Sequence, residues 1–180
     1  MRQLSVAIGQ SHHSGIQYYF GDKAGLTAEI LKSRIASFEQ RRVEMLDQAA
    51  RDGLLDDVPT LIRILYFPLA EAVDEDGRHI YASFLLRYLG WTQFDPKFGA
   101  LTWPAASQAV TAAKRLEALR PDLQGKRFHD RLYLINGLFL TALVRRDGAR
   151  ASGEICQDEE DFLAELTLVM VAAFNAPSYL

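Results

Sequence analysis

Leu31, Ile35, Phe38, Met45 and Ala49 recur at intervals that place their side chains on one face of an α-helix. They lie in a stretch from Lys23 to about Arg51 that reads as one uninterrupted helix, with Asp22 as its N-cap. At 1.5 Å per residue such a helix is about 40 Å long. A rod of that length constrains the chain more than any other feature, and it is expected to join two compact bodies. Leu26 and Ile30 add a second contact stripe at its N-terminal end, suited to pack under a preceding short helix.

Helical spacing dominates the remaining chain, and no strand alternation stands out. Pro59 opens a helix running to about Val73, with a kink expected at Pro68. Asp74 to Gly77 is a loop. Arg78 to Leu89 is a helix stopped by Gly90, and Ala105 to Leu119 a helix that starts after Pro104 and ends ahead of Pro121. Two long helices, about Lys126 to Arg146 and Asp158 to Phe174, close the chain around a connector from Asp147 to Gln157. The expected class is all-α. The 180 residues, 49% hydrophobic and 24% charged, suffice to bury a core.

The first residues carry a different pattern. Leu4 to Ile8 is a short helix stopped by Gly9, and Gln10 and Ser11 make a turn. Ser11 caps a second helix from His12 to Phe20, with Ile16 and Phe20 on its buried face, and Gly21 ends it. This is a helix-turn-helix arrangement. Residues 1–46 hold six Lys/Arg and four Asp/Glu, against fourteen and nineteen in the rest. That asymmetry weakly favours a nucleic-acid-facing N-terminus on an acidic body.

Gly9, Ile16, the Tyr18-Tyr19-Phe20 run, the Gly21-Asp22-Lys23 turn and Leu26 together resemble the TetR family of bacterial transcriptional repressors. The detailed resemblance covers residues 2–34. It implies a helix-turn-helix DNA-binding domain over residues 1–34. The long helix would join it to a helical effector-binding and dimerisation domain over residues 35–180. The family carries one further helix ahead of this point, so the DNA-binding unit is expected to lack its first helix. Carried over by position, Ser11, His12, His13 and Ser14 open the recognition helix and address base edges, while Gln17, Tyr18, Tyr19 and Lys23 meet phosphate. The physics is compatible. A helix N-terminus in the major groove presents side chains to bases, and its free N–H groups and dipole favour phosphate. Solvated turn residues at His12 and His13, and packing roles for Tyr18 and Tyr19, are the alternatives. The resemblance further implies a homodimer on a palindromic double-stranded operator, its half-sites ~34–36 Å apart or somewhat more. An effector would bias the dimer through the long helix acting as a lever.

An aromatic-rich section, Tyr66, Phe67, Tyr81, Phe84, Tyr88, Trp91 and Trp103, is the expected lining of a pocket for an apolar or aromatic effector. Core packing accounts for any single member equally well. Arg63, His79 and Arg87 are candidate polar anchors. The last two helices are apolar on more than one face. Leu132, Ile135, Phe139 and Leu143, with Phe162, Leu166, Val169 and Ala173, are the expected interface with a second copy. A monomer that uses both faces internally is the alternative. Leu134, Leu138 and Thr141 mark the other stripe of the first of these helices.

Other chemistries find little support. Adjacent His12 and His13 diverge on a helix and have no clustered ligands, so no metal is expected. His129-Asp130, with His79 and Asp147 as loose partners, lacks a hydrolase motif, and no phosphate loop or nucleophile elbow is present. No enzyme activity and no cofactor are expected. Cys156 is the only cysteine, no signal-peptide pattern follows Met1, and the apolar run Leu132 to Val144 is broken by Asn136. These features favour a cytoplasmic protein with no membrane span. The competing functional class is a dimeric small-molecule-binding protein with a vestigial DNA-binding region.

Overall fold

Helix α1, Lys23–Asp52, forms over 30 residues because its apolar positions keep one face inward. Thr27, Leu31, Phe38, Arg42, Leu46 and Ala49 are buried along it, with Ile35 and Met45 half-buried between them. The computed structural model describes residues 23–92 and 107–178. Ser11, His12, His13, Ser14, Gln17, Tyr18, Tyr19 and Trp103 lie outside the described residues, as do the side chains of Lys23 and Trp91.

Helix α2, Val58–Ala70, starts where Asp57 caps it: the carboxylate accepts from the Thr60 N–H at 2.9 Å and from the Thr60 hydroxyl at 2.7 Å. Pro59 occupies the first turn, where its missing N–H costs no intrahelical bond. Pro68, where a kink is expected, lies inside the helix and cannot donate to the Ile64 carbonyl, and the helix ends two residues later, at Ala70 rather than Val73. Leu61, Ile62, Ile64, Leu69 and Ala70 bury faces all around this helix. It is the central element, packed by α1 and by α3 (Ile80–Thr92), α4 (Gln108–Ala118) and α6 (Glu159–Asn175). Helix α5, Lys126–Ala151, packs on α3 and α6. These six helices account for all regular structure among the described residues. None is long and apolar enough to cross a membrane.

The long helix lies along α2 and α4 and supplies core residues from Thr27 to Ala49. The first body it is expected to join lies outside the described residues. Residue 34, the expected domain boundary, lies within α1, and Leu31 on its N-terminal side is buried at 8% exposure.

The ends of α5 and α6 show how local sequence sets boundaries. Helix α5 outruns its expected end, and Gly153 then takes the left-handed conformation (φ 78°) that closes a helix C-terminus. Asp158 caps α6 by accepting from the Asp161 N–H at 2.8 Å, and Glu159, Glu160 and Asp161 put negative charge in its first turn. At its far end Arg131 donates to the carbonyls of Ala173, Phe174 and Ala176 at 2.7–3.0 Å, and Arg120 to that of Phe174 at 2.6 Å. Two guanidinium groups thus satisfy carbonyls that a helix end leaves unpaired.

His79 does not face a ligand site. It is buried, and its backbone N–H donates to Asp147 at 2.6 Å. Its ring Nδ1 lies 2.8 Å from the same carboxylate, and Nε2 lies 3.1 Å from the Ala70 carbonyl. Both ring partners are acceptors, so both contacts are hydrogen bonds when each nitrogen carries a proton. The residue clasps the end of α2 and the start of α3 to α5.

Phe139 has no exposed surface and packs its ring 5.1 Å from that of Tyr66. Urea denaturation of Phe139→Ala is expected to show about 3–5 kcal/mol less stability. Loss of the α2 cap in Asp57→Ala is expected to cost about 1 kcal/mol. A Phe139→Ala loss under about 1 kcal/mol would contradict the core assignment.

Candidate ligand cavity

Five helices leave a cavity of about 420 Å³ between them, within the roughly 300–1,000 Å³ of small-molecule sites. One wall is the first half of α1, with Ala28, Leu31, Ile35 and Phe38. Leu65, Tyr66 and Leu69 of α2 and Tyr81, Leu85 and Tyr88 of α3 face it. Leu132, Tyr133 and Asn136 of α5 complete it, with Ala109 of α4 at one side.

Two phenols brace this space. Tyr66 of α2 donates from its hydroxyl to the Leu132 carbonyl of α5 at 3.4 Å. Tyr81 of α3 donates to the Leu31 carbonyl of α1 at 3.2 Å, and its ring packs 5.4 Å from that of Phe38. Burial resists the phenolate in both. The Tyr81 hydroxyl is pushed up to about 12, with Arg34 acting weakly in the other direction. Tyr66 is raised further by burial, opposed in part by the Arg42 charge, and Tyr88 is also raised by burial.

Arg42 is the buried cation of the wall, its side chain 6% exposed. Nη1 donates to Glu39 at 2.7 Å and Nη2 to the Leu65 carbonyl of α2 at 2.9 Å. The other oxygen of Glu39 accepts from the Gln108 N–H, beside the Ser107 cap of α4. Desolvation lowers the Arg42 pKa, and Glu39 opposes that shift. Arg42 Nε has no hydrogen-bond partner among the described residues. Neither does the Asn136 side chain, although Asn136 lines the cavity from the middle of an apolar helix run. His129 is exposed, with Nδ1 2.7 Å from the Gly125 carbonyl, and Lys32 pairs with Glu29 at 3.0 Å.

Of the expected pocket residues, Tyr66, Tyr81 and Tyr88 line the cavity. Phe67 does not: Arg63 stacks on its ring at 4.9 Å, away from the cavity. Phe84 lines a neighbouring groove with Ile30 and Arg34. The expected anchors Arg63, His79 and Arg87 are all outside the cavity lining. Sequence reasoning missed Arg42 and Asn136 in that role. The signals were an arginine on the inner stripe of α1 and an amide inside an apolar run. Asp130 pairs with Lys126 at 2.6 Å while His129 bonds to Gly125, so the adjacent His-Asp pair does not act as a unit.

The stripe expected at a subunit interface is largely the protomer's own core. Ile135, Phe139 and Leu143 are at most 1% exposed, and Leu166 is buried beside them. Leu132 faces the cavity, Phe162 lies under Arg146 at 4.6 Å, and Ala173 is half-buried. Val169 alone of the eight is an exposed large hydrophobe. Periodicity reveals two apolar stripes on such a helix but not which one points inward. The large exposed hydrophobic side chains of these two helices are Tyr133 (42%) and Leu134 (68%) on α5 and Leu168 (65%) and Val169 (42%) on α6.

Alkaline titration of tyrosinate absorbance tests the desolvated interior. Tyr66 and Tyr81 are expected to ionise well above the ordinary value of 10. Because folding raises these pKa values, their contribution to stability is complete below pH 10 and declines as pH rises through the folded values. Tyr81→Phe should remove one late-titrating group, and unchanged titration in that variant would contradict the assignment.

Comparison with family models, with curated proteins and with solved structures found no match.

Proposed function

We propose that this protein is a ligand-responsive, DNA-binding transcriptional regulator, a repressor working as a homodimer, with the cavity as its effector site. One observation carries the reading. The cavity is walled by the opening turns of α1, the helix that begins where the TetR-like segment of residues 2–34 places its connecting helix. A molecule in the cavity therefore touches the element that leads to the candidate DNA-reading residues.

The supporting mechanics are local. The C-terminal half of α1 is held by Arg42 to Leu65, and by Arg41 to Glu71 at 2.8 and 2.9 Å. The N-terminal half rests on the cavity. Filling that space acts on α1 between Ala28 and Arg42 and shifts the population of helix orientations. Pairing of subunits would use the outer stripe of α5 and α6, centred on Leu134, Leu138, Leu168 and Val169, not the buried stripe behind it. Charged substitutions Leu134→Asp and Leu168→Asp are expected to give a monomer by light scattering. A dimer persisting in the double variant would move the interface elsewhere.

Selection from a random duplex pool by the full-length protein is the direct test. A palindrome with half-sites ~34–36 Å apart, or somewhat more, is expected. His12→Ala and His13→Ala should relax preference at particular positions, whereas Lys23→Ala should weaken all sequences alike and reduce the salt slope by about 1. Equal binding of palindromic and random duplexes at matched salt would overturn the regulator. It would leave the cavity to a dimeric small-molecule-binding protein with a vestigial DNA-binding region.

A further inference from the structure

We infer that the cavity selects an uncharged, mainly apolar molecule that carries one hydrogen-bond acceptor, such as a carbonyl, held by the Asn136 amide. The inference deepens the proposed effector site and rests on its binding a small molecule.

Charge excludes the other classes. Among the described residues no Asp or Glu lines the cavity, so a cationic ligand would be desolvated there without a counter-charge from them. The buried cation, Arg42, is already matched by Glu39 at 2.7 Å. A carboxylate entering beside it would compete with Glu39 for one charge and leave an unmatched anion in an apolar site. Lys32 also lines the wall, but its side chain is 66% exposed and its ammonium is paired with Glu29.

Hydrogen-bonding capacity selects within the neutral class. The Tyr66 and Tyr81 hydroxyl protons go to the Leu132 and Leu31 carbonyls. Asn136 is a wall group whose amide donor meets no protein acceptor among the described residues, whereas the unpaired Arg42 Nε is buried out of a ligand's reach. Donors left unused in a largely apolar wall favour a ligand that brings an acceptor. The apolar side chains of α1, α3 and α5 accommodate the remainder of such a molecule.

Four naphthalene probes of matched size test this on the full-length protein: propylnaphthalene, its propionyl ketone, the propanoate and the propylammonium. Titrations are followed by naphthyl fluorescence. The ketone is expected to bind more tightly than the anion or the cation. Asn136→Leu should weaken the ketone about tenfold and leave the hydrocarbon unchanged or tighter. The inference is overturned if either ion matches the ketone, or if Asn136→Leu shifts ketone and hydrocarbon by the same factor. Hydrocarbon binding without those differences would sink the acceptor selectivity alone. Failure of all four probes to bind would sink it together with the small-molecule site. Ketone selectivity in a protein that ignores DNA would uphold the inference and sink the regulator.

Discussion

Arg42 is the point on which the arrangement of α1, α2 and α4 turns. The inner face of α1 would otherwise be an ordinary stripe of Leu31, Ile35, Phe38, Leu46 and Ala49. A guanidinium on that stripe requires acceptors where water is scarce. Glu39 supplies one from the same helix and the Leu65 carbonyl another from α2, while Glu39 extends the network to the Gln108 N–H of α4. Such a network is not a large net source of stability, because desolvating both charges offsets much of their attraction. Its effect is positional. Sliding α1 by one turn would strand a buried charge, so the hydrogen-bonding groups specify one register where apolar packing alone would tolerate several.

The cavity follows from that register. Tyr66 and Tyr81 each reach across to a backbone carbonyl on a facing helix, α5 and α1 respectively. A phenol is rigid, and a buried hydroxyl that loses its acceptor is penalised. The two side chains therefore act as struts, and the space between them stays open while the layer below is filled by Phe139, Leu140 and Leu143. Filling the cavity with larger apolar side chains would strengthen packing, but only by displacing the struts that hold the helices at this separation.

How much of this was legible in the sequence depends on distance along the chain. The span of α1 and the starts of α2 and α6 came from periodicity and caps, which are local: Asp57 with Pro59, and Asp158 with its acidic first turn. The ends were less legible. Gly90 did not stop α3, which runs on to Thr92, and α2 ends at Ala70, three residues short of the expected Val73. The first residues of the Arg78–Leu89 helix belong instead to a loop, because Asp74 takes the Arg78 N–H and Asp147 takes that of His79. The His79–Asp147 contact joins residues 68 apart, and no local pattern announces it. The cavity was legible in part. Its aromatic residues stood out, yet Arg42 and Asn136 are visible as site residues only once α1 and α5 face each other.

Helix α1 also divides mechanically. Its C-terminal half, from Phe38 on, is tied by Arg41 to Glu71, by Arg42 to Leu65 and by Glu39 to α4. Its N-terminal half carries the Tyr81 hydroxyl on the Leu31 carbonyl and borders the cavity from Ala28 to Ile35. Local opening follows the density of buried contacts, so the two halves should differ in stability although they are one element. In the proposed regulator this asymmetry is what a ligand needs. Occupying the cavity adds contacts along α1 from Ala28 to Arg42, across the junction of the two halves, and a rigid helix converts a small change there into a larger displacement at its far end.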